Sequence, residues 1–198
     1  MVSNEEISVN KRNGRGKESL NIEKIHSMVG FATEGITGVS ASHVEMNSGI
    51  QFFDGVSTAD IQQILIKSAN DLITLENPNY QYVAARLLLF QLRKQLFHRL
   101  WDHPKFIDHI KTLIDKGLYD KDILVNYNES EIDRMGMWID HERDYNFTYA
   151  GLRQVMDKYL VQDRSTGDIF ETPQFMYMMI SATLFAEYPR DKRMNYVK

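Results

Sequence analysis

The stretch that decides the fold is 7-ISVNKRNGRGKESLNIEKIH-26. Ile7 and Val9 alternate with polar residues, and the glycine-containing run after them is typical of a turn that ends a strand. Residues 17–20 can return as a second short strand. Asn21 is a suitable N-cap, because its side chain can accept a hydrogen bond from a backbone N–H of a helix. The stretch therefore predicts a β-hairpin that leads into a helix.

The predicted helix places apolar residues at helical spacing, and Gly35 can end it. Its N-terminus presents unpaired N–H groups and a partial positive charge beside Lys11 and Lys24, which together could seat a phosphate chain. The alternative is a hairpin packed on a helix whose lysines only face water. The local chemistry favours this alternative, because short motifs often match by chance.

A resemblance to a known family favours the phosphate site over solvated lysines. The segment 9-VNKRNGRGKESLNIEKI-25 resembles the opening of the ATP-cone domain of class I ribonucleotide reductase large subunits, in which a V-x-K-R-x-G turn precedes an N-x-x-K-I helix start. Five further segments are similar to successive later parts of that family, in the same order: 50–69, 78–94, 138–152, 158–175 and 188–198. The resemblance thus covers essentially the whole chain and is more specific than any single motif.

The resemblance implies a mainly α fold. A small N-terminal sheet with a β-hairpin would cap a four-helix ATP cone, and further helices and one β-hairpin would come after it. It implies two domains, an allosteric nucleotide-binding ATP cone at residues 1–98 and the beginning of the reductase N-terminal helical domain at residues 99–198.

The resemblance also implies a nucleotide site. Lysine charge would neutralise phosphates, with Mg²⁺ bridging phosphate oxygens, while residues 18–20 would contact the base and Asn21 and Thr58 would be polar partners. The predicted nucleotide-binding residues are Lys11, Glu18, Ser19, Leu20, Asn21, Ile22, Glu23, Lys24, Thr58, Phe90 and Lys94.

Helix 4 of the predicted cone places Arg86, Phe90, Arg93 and Lys94 on one face. An aromatic ring among cations could stack on a base while Lys94 reaches a phosphate. The alternative is that Phe90 belongs to the core and the cations are solvated.

Two positions depart from the family pattern. Gln62 and Gln91 stand where histidines are common, in the part of the cone that meets the base, the sugar or a second nucleotide. Glutamine can donate and accept hydrogen bonds but cannot become cationic. Nucleotide binding is still expected, with possible contacts from both glutamines, but the usual contrast between activating ATP and inhibiting dATP is less secure.

The chain contains no cysteine. Disulfides, thiolate zinc sites and cysteine nucleophiles are therefore excluded within it. Ribonucleotide reduction in the family needs a thiyl radical and a pair of thiols, so this polypeptide alone is predicted to be inactive. It resembles the leading portion of a large subunit, cut or split before the catalytic barrel, and neither a catalytic residue nor a metal site is predicted.

The amino-acid composition and net charge limit which kinds of partner the chain is expected to bind. With 43% hydrophobic and 25% charged residues the chain has a globular profile, and its net charge of -4 argues against general nucleic-acid binding. No apolar run is long enough for a bilayer, and the acidic start does not resemble a signal peptide. We expect a cytoplasmic protein that contacts neither nucleic acid nor membrane.

Helix boundaries are predicted from caps and prolines. Capping boxes are predicted at residues 42–45, 57–60 and 128–131. Proline should start helices at Pro78, Pro104 and Pro173, and stop the last one at Pro189. One more helix is expected at residues 148–158, and residues 159–161 and 169–170 should form a hairpin around the turn DRSTGD.

Other clusters are given structural interpretations. His98, His103 and His109 are expected on the surface rather than at a metal. Residues 141–144 are expected to form ion pairs. The core is predicted to include Phe175, Met176, Met178, Met179 and Leu184.

The sequence therefore predicts a regulatory part of a ribonucleoside-diphosphate reductase large subunit, which makes deoxyribonucleotides for DNA synthesis. ATP or dATP would bias its association, by population shift, with the remainder of the large subunit, a second large subunit and the radical-bearing small subunit. The alternative is a non-catalytic helical interaction module with a decayed nucleotide site. A nucleotide-sensing repressor is disfavoured, because such proteins join the cone to a cysteine-rich zinc ribbon.

Overall fold

The computed structural model describes residues 8–10, 16–49, 55–98 and 100–198. The chain forms two compact units. Unit 1 comprises the described residues up to Gln91 together with Phe147–Leu152, and unit 2 comprises Leu92–Asn146 and Arg153–Lys198.

Unit 1 begins with a small sheet. Strands β1 (Ser8–Asn10) and β2 (Lys17–Ser19) are antiparallel, and β3 (Val56–Ser57) pairs in parallel with β1, which gives the order β2-β1-β3. The predicted hairpin pairing is confirmed, whereas its turn lies outside the described residues. No separate sequence signal marks β3, because a two-residue strand is too short to show alternation.

Four helices are α1 (Ile22–Thr33), α2 (Ala41–Gly49), α3 (Thr58–Asp71) and α4 (Tyr80–Phe97), and the last of these continues into unit 2 from Leu92. Helix α3 begins with the predicted capping box, in which Asp60 N–H donates to Ser57 Oγ at 3.0 Å and Ser57 N–H donates to Asp60 Oδ2 at 3.3 Å. Gly35 lies just beyond α1 with a φ of +70°, a conformation that glycine adopts without steric cost.

Two predicted helix starts in unit 1 are wrong. Ser42 lies inside the first turn of α2, and Glu45 Oε1 lies 2.8 Å from His26 Nδ1, so the predicted box of residues 42–45 does not cap the helix. Pro78 precedes α4 in a turn, and its carbonyl accepts from Gln81 N–H at 3.2 Å.

Unit 2 is built from short helices. They are α5 (Phe106–Asp115), α6 (Asp122–Asn126), α7 (Glu129–Trp138), a 3-10 helix (His141–Asn146), α9 (Pro173–Leu184) and α10 (Arg190–Val197), while α8 (Tyr149–Lys158) belongs partly to each unit. The predicted capping box at residues 128–131 is confirmed, with Asn128 and Glu131 each accepting from the other's N–H at 2.9 Å. The predicted hairpin forms around a single antiparallel bridge between Gln162 and Ile169, next to which Phe170 N–H donates to Val161 O at 2.9 Å and Asp163 N–H donates to Asp168 O at 2.8 Å.

The prediction for Pro189 is wrong. Helix α9 ends at Leu184, and Pro189 occupies the N-cap position of α10, a helix that the sequence did not predict. Helix α5 begins at Phe106 rather than at Pro104.

The core of unit 2 gathers around Phe175, which is 1% exposed. Met176 and Met178 are buried as predicted, but Leu184 is 68% exposed, so its predicted place in the core is wrong. The cluster contains Phe175, Met178 and ten further buried residues: Phe106, Ile107, Ile110, Ile123, Tyr127, Ile132, Met135, Ala182, Met194 and Val197.

Among the residues that the structure describes, no helix combines the length and the apolar character that crossing a bilayer requires.

Candidate functional site

The junction between β2 and α1 contains most of the predicted nucleotide-binding residues. Asn21 has an extended backbone, and its Oδ1 accepts from Lys24 N–H at 2.9 Å, as expected of an N-cap. The N–H groups of Ile22 and Glu23 lie in the same first turn, where an α-helix supplies no acceptor. The side chain of Lys24 is exposed. The start of α1 thus presents backbone donors and a lysine in one short segment.

The sheet register orients Glu18. It pairs with Val9, which pairs in turn with Val56, and these two valines are 2% and 1% exposed. Side chains directly opposite one another in a sheet point to the same face. Glu18 therefore points to the core-facing side of the sheet, at its β2 edge, and is half-buried there.

Thr58 begins α3 at the other end of the sheet. Asn10 pairs with Lys17 and with Ser57, whereas Ser19, which leads into α1, pairs with Ser8. The N-termini of α1 and α3 therefore lie at opposite ends of β1. This strand is only about 7 Å long from its first to its last Cα atom. Polar groups line both ends of this short sheet.

Two amide contacts, which we call the amide ties, join α3 to α4. Gln62 is 2% exposed, and its Nε2 donates to Leu87 O at 2.8 Å. Gln63 Nε2 donates to Gln91 Oε1 at 2.9 Å. Gln62 and Gln91, the two predicted base contacts, thus each take part in an interhelical hydrogen bond. A contact of either side chain with a nucleotide stays a prediction.

The face of α4 that carries Phe90 is less open than its charges suggested. Phe90 and Arg93 are each 1% exposed. Arg86 is partly buried and donates through Nη1 to Glu34 O at 2.6 Å. The alternative that the cations are solvated is therefore wrong for Arg93, and Arg86 binds the end of α1. Stacking of Phe90 on a base stays a prediction.

The structure gives a partial view of the predicted site. Residues Glu18 to Lys24 are continuous at the junction of β2 and α1, and Thr58 lies in the same unit. Lys94 is half-buried and belongs to unit 2. Lys11 lies outside the described residues.

Unit 2 contains ionisable groups that the sequence did not identify as a cluster. Arg93 donates through Nη2 to His141 O and through Nη1 to Tyr145 Oη at 2.9 Å, and its Nη2 lies 3.7 Å from Asp144 Oδ2. Burial raises the pKa of Asp144 to about 6, although the hydrogen bond from Gln174 and the charge of Arg93 oppose that rise. The prediction of ion pairs in residues 141–144 is confirmed.

Three histidine rings lie in the aromatic core of unit 2. His103 and His141 are stacked with centroids 3.7 Å apart, and His109 lies 4.3 Å from the ring of Phe175. Burial lowers the pKa of His103 and His109 to about 4 and that of His141 to about 3. The prediction that His109 is on the surface is wrong, because the residue is only 5% exposed. No sequence signal separates such a histidine from a solvated one.

Two further carboxylates in unit 2, the buried Glu171 and the half-buried Glu131, have polar partners. Glu171 accepts from Tyr119 Oη and from Val161 N–H, and burial raises its pKa. Glu131 accepts from Arg193 at 2.7 and 2.8 Å, and this pairing with the Asn128 N–H bond lowers its pKa against the effect of desolvation. These groups join elements of unit 2 and are structural in chemistry.

Comparison with known proteins identifies domains at both ends of the chain. A family model described as the ATP cone domain matches residues 7–95, and one described as the ribonucleotide reductase all-alpha domain matches residues 145–198. The protein therefore belongs to the class in which an ATP cone is followed by a ribonucleotide reductase all-alpha domain.

Curated relatives agree with these matches. Ribonucleoside-diphosphate reductase alpha subunits are 46% identical over 195 residues in Haemophilus influenzae, 45% over 195 in Escherichia coli and 41% over 192 in Enterobacteria phage T4. The alignments cover 98%, 98% and 97% of this chain. They cover 26%, 25% and 25% of the relatives, so the chain spans about a quarter of their length.

The chain belongs to the ribonucleoside-diphosphate reductase alpha-subunit family and carries its ATP cone domain and part of its all-alpha domain. The family and the mainly α fold that the sequence predicted are thereby confirmed.

Proposed function

We propose that residues 1–98 bind ATP or dATP as an effector of ribonucleotide reduction. The observation that carries the proposal is the junction of β2 and α1, where an asparagine-capped helix N-terminus, the exposed Lys24 and the half-buried Glu18 occupy one short segment. A helix N-terminus with unpaired N–H groups favours a bound phosphate. The match of residues 7–95 to the ATP cone supports the same assignment.

The residues have different roles in this proposal. Lys11, Lys24 and Lys94 neutralise phosphate charge, and the first-turn N–H groups of Ile22 and Glu23 donate to phosphate oxygens. A Mg²⁺ ion bound together with the nucleotide would offset phosphate charge, which would reduce the repulsion between the phosphates and the carboxylate of Glu23.

The base lies towards the sheet in this arrangement. Glu18, Ser19 and Leu20 contact the base, because the Glu18 carboxylate points to the core-facing side and can accept from an exocyclic amine. Asn21 and Thr58 are polar partners. Phe90 would complete the site by stacking, and Gln62 and Gln91 are possible contacts to the base or to a second nucleotide.

The regulated reaction is the reduction of ribonucleoside diphosphates to deoxyribonucleotides. The chain has no cysteine, so the thiyl radical and the reducing thiols of this chemistry come from the remainder of the large subunit. A nucleotide that binds one arrangement of the cone more tightly shifts the population towards it. That shift changes how the large subunit associates with its homodimer partner and with the radical-bearing small subunit.

Isothermal titration of the 198-residue chain with ATP and with dATP, each with and without Mg²⁺, tests the binding. We expect saturable heat with one or both nucleotides and a weaker affinity without Mg²⁺. Lys24→Ala should lower the affinity at least about tenfold, since it removes a charge beside the phosphates. Lys67→Ala is the matched control, because Lys67 is exposed on α3 and pairs with Asp71 at 3.4 Å. Equal affinity of the two variants would reject the phosphate site.

A decayed nucleotide site is the second candidate, and the amide ties favour it. Both glutamines that replace the family's common histidines have polar atoms engaged between α3 and α4. This candidate predicts no heat with ATP or dATP together with retained association with a partner subunit. The same titration therefore separates the two functions.

A further inference from the structure

Helix α9 carries apolar side chains on two opposite faces. Its inner face includes Phe175 and Ala182 in the core of unit 2. Its outer face carries Tyr177, Ile180 and Leu184 at helical spacing, with 46%, 48% and 68% of each residue exposed. Helices that are apolar all round are normally buried. The outer face of α9 therefore has the character of a contact surface.

The end of this outer face forms one wall of a groove of about 350 Å³. Leu184 and Met179 contribute apolar surface from α9, Ile123 contributes it from α6, and Tyr188 closes the groove from the loop before α10. Tyr188 is 47% exposed, and its ring lies 5.2 Å from Phe185 and 5.3 Å from Tyr196. These ring contacts restrict the tyrosine, so the wall is formed before any partner arrives.

Three carboxylates line the same groove: Asp120, Asp122 and Glu187. All three are exposed, and within the described part of the chain none forms an ion pair with a lysine or arginine. Lys121 lies between two of them in sequence but does not line the groove. The groove therefore combines apolar walls with uncompensated negative charge.

This combination selects the chemistry of the occupant. Phosphate groups and anionic lipid surfaces are repelled by carboxylates, which excludes a nucleotide or a membrane. The three carboxylates are not placed so that they could hold one metal ion together, and no such group exists among the described residues, which disfavours a divalent cation. A polypeptide satisfies both features, because an aliphatic side chain fills the apolar wall while lysine or arginine pairs with the rim.

We propose that this groove, which we call the acidic groove, is a docking site for a polypeptide segment that presents an aliphatic side chain beside lysine or arginine. The proposal goes beyond nucleotide binding by residues 1–98 and does not depend on it. A chain that failed to bind ATP would still bind such a segment.

The proposal is tested by titrating the 198-residue chain into a fluorescently labelled synthetic peptide in which leucine and lysine residues alternate. The control peptide has glutamate in place of every lysine. We expect a Kd of about 10–100 µM for the lysine peptide at low salt and at least about a fivefold loss in about 0.5 M NaCl, where surface charges are screened. Equal binding of the two peptides, or no binding at about 1 mM, would overturn the proposal.

Substitutions locate the binding. Asp122→Asn/Glu187→Gln should weaken the lysine peptide at least about tenfold, and Leu184→Ala should weaken it by a similar factor. Asp115→Asn/Glu142→Gln is the charge-matched control, since these exposed carboxylates of unit 2 do not line the groove. If both double variants lose affinity equally, the peptide senses only net charge and the proposal is wrong.

Amide chemical-shift mapping on the unsubstituted chain removes any dependence on the folding of variants. The lysine peptide should shift the amides of residues 120–126 and 183–188 more than those of other segments. Shifts confined to other regions would overturn the assignment. Displacement of the peptide by millimolar Ca²⁺ in preference to Na⁺ of equal ionic strength would identify a cation site instead.

Discussion

Units 1 and 2 bury different kinds of polar groups. The buried polar side chains that the structure describes in unit 1 are neutral: Ser48, Gln62 and Ser68. Those in unit 2 include five ionisable residues: Arg93, His109, Asp144, Glu171 and Arg193. No charged residue is among the fully buried side chains in the described part of unit 1, and Lys24 is exposed where a ligand can reach it, whereas unit 2 uses charge inside its own structure.

The difference separates binding chemistry from structural chemistry. An exposed lysine loses little hydration until a phosphate arrives, and its charge is then available to the ligand. A buried ion pair has already lost its water, so removing one partner leaves a costly unpaired charge. Substitutions of the lysines assigned to the phosphates should therefore change ligand affinity, and substitutions of buried charges in unit 2 should change stability.

Arg93→Met should have the largest effect on stability. It leaves the carboxylate of Asp144 buried without the cation 3.7 Å away, and it removes the hydrogen bonds to His141 O and Tyr145 Oη. We expect a loss of about 3–5 kcal/mol in the free energy of unfolding, measured by urea denaturation.

Lys111→Met is the matched control for Arg93→Met. Lys111 pairs with Glu129 at 3.1 Å on the surface of unit 2, and such exposed pairs contribute about 0–1 kcal/mol. A similar cost for the two variants would remove the distinction between buried and exposed charge.

Acid should destabilise unit 2 through its histidines. A histidine with its pKa lowered from 6.5 to about 4, such as His109, binds a proton in the unfolded chain before it does so in the folded one. The contribution of the neutral histidine to the free energy of unfolding is complete above pH 6.5. It is lost as the pH falls towards 4, at up to about 1.4 kcal/mol per pH unit. Asp144, with its pKa raised to about 6, acts in the opposite direction and offsets part of the loss.

The substitution His109→Phe tests the contribution of a single histidine to this pH dependence. Phenylalanine retains the ring packing on Phe175 and Phe97 but cannot be protonated. We expect the variant to be more stable than the unsubstituted chain by about 3 kcal/mol near pH 4, relative to their difference at about pH 7. Unfolding curves measured between these two pH values give this difference. Parallel pH profiles for the two proteins would show that His109 is not buried as a neutral ring.

Gln62→Ala tests the neutral interior of unit 1. It removes the hydrogen bond to Leu87 O and leaves a gap at a position that is 2% exposed. We expect a loss of about 2 kcal/mol in unfolding free energy with little dependence on pH. Gln63→Ala, at an exposed position, should cost less than about 0.5 kcal/mol. A Gln62→Ala variant that kept its stability but lost ATP binding would instead assign this side chain to the nucleotide.

The smallest effect should be the same in both units. Ser57→Ala and Asn128→Ala each remove the cap side chain of a reciprocal capping box, one from α3 and one from α7. Each should cost about 1 kcal/mol in thermal or urea unfolding. A cost in one unit and none in the other would mean that tertiary contacts, rather than the caps, hold that helix start.

Local signals in the sequence predicted most of the fold. Asn21, Ser57 and Asn128 are caps in the structure because the hydrogen bonds they make lie within a single helix turn. The same pattern at Ser42 fails, because Glu45 contacts His26 on another helix. Pro189 fits both the end of one helix and the start of the next, and the sequence does not distinguish these roles.

Local sequence patterns could not predict which charged side chains are buried. Arg93, His109 and Asp144 meet their partners through contacts far apart in sequence, and their residue types are usually exposed. Leu184 shows the converse, because an apolar residue at core spacing faces outward. For the candidate site, the segment from Glu18 to Lys24 could be predicted from the sequence, while the engagement of Gln62 and Gln91 in the amide ties required the structure.

The most direct test of the central claim is the affinity for ATP, measured by calorimetry, of Lys94→Ala compared with Lys67→Ala. Both substitutions remove one lysine charge from a helix, but only Lys94 is assigned to the phosphates. The account predicts at least about a tenfold loss of affinity for Lys94→Ala and a change of less than about twofold for Lys67→Ala. A Lys94→Ala variant that binds ATP as tightly as the unsubstituted chain would contradict it.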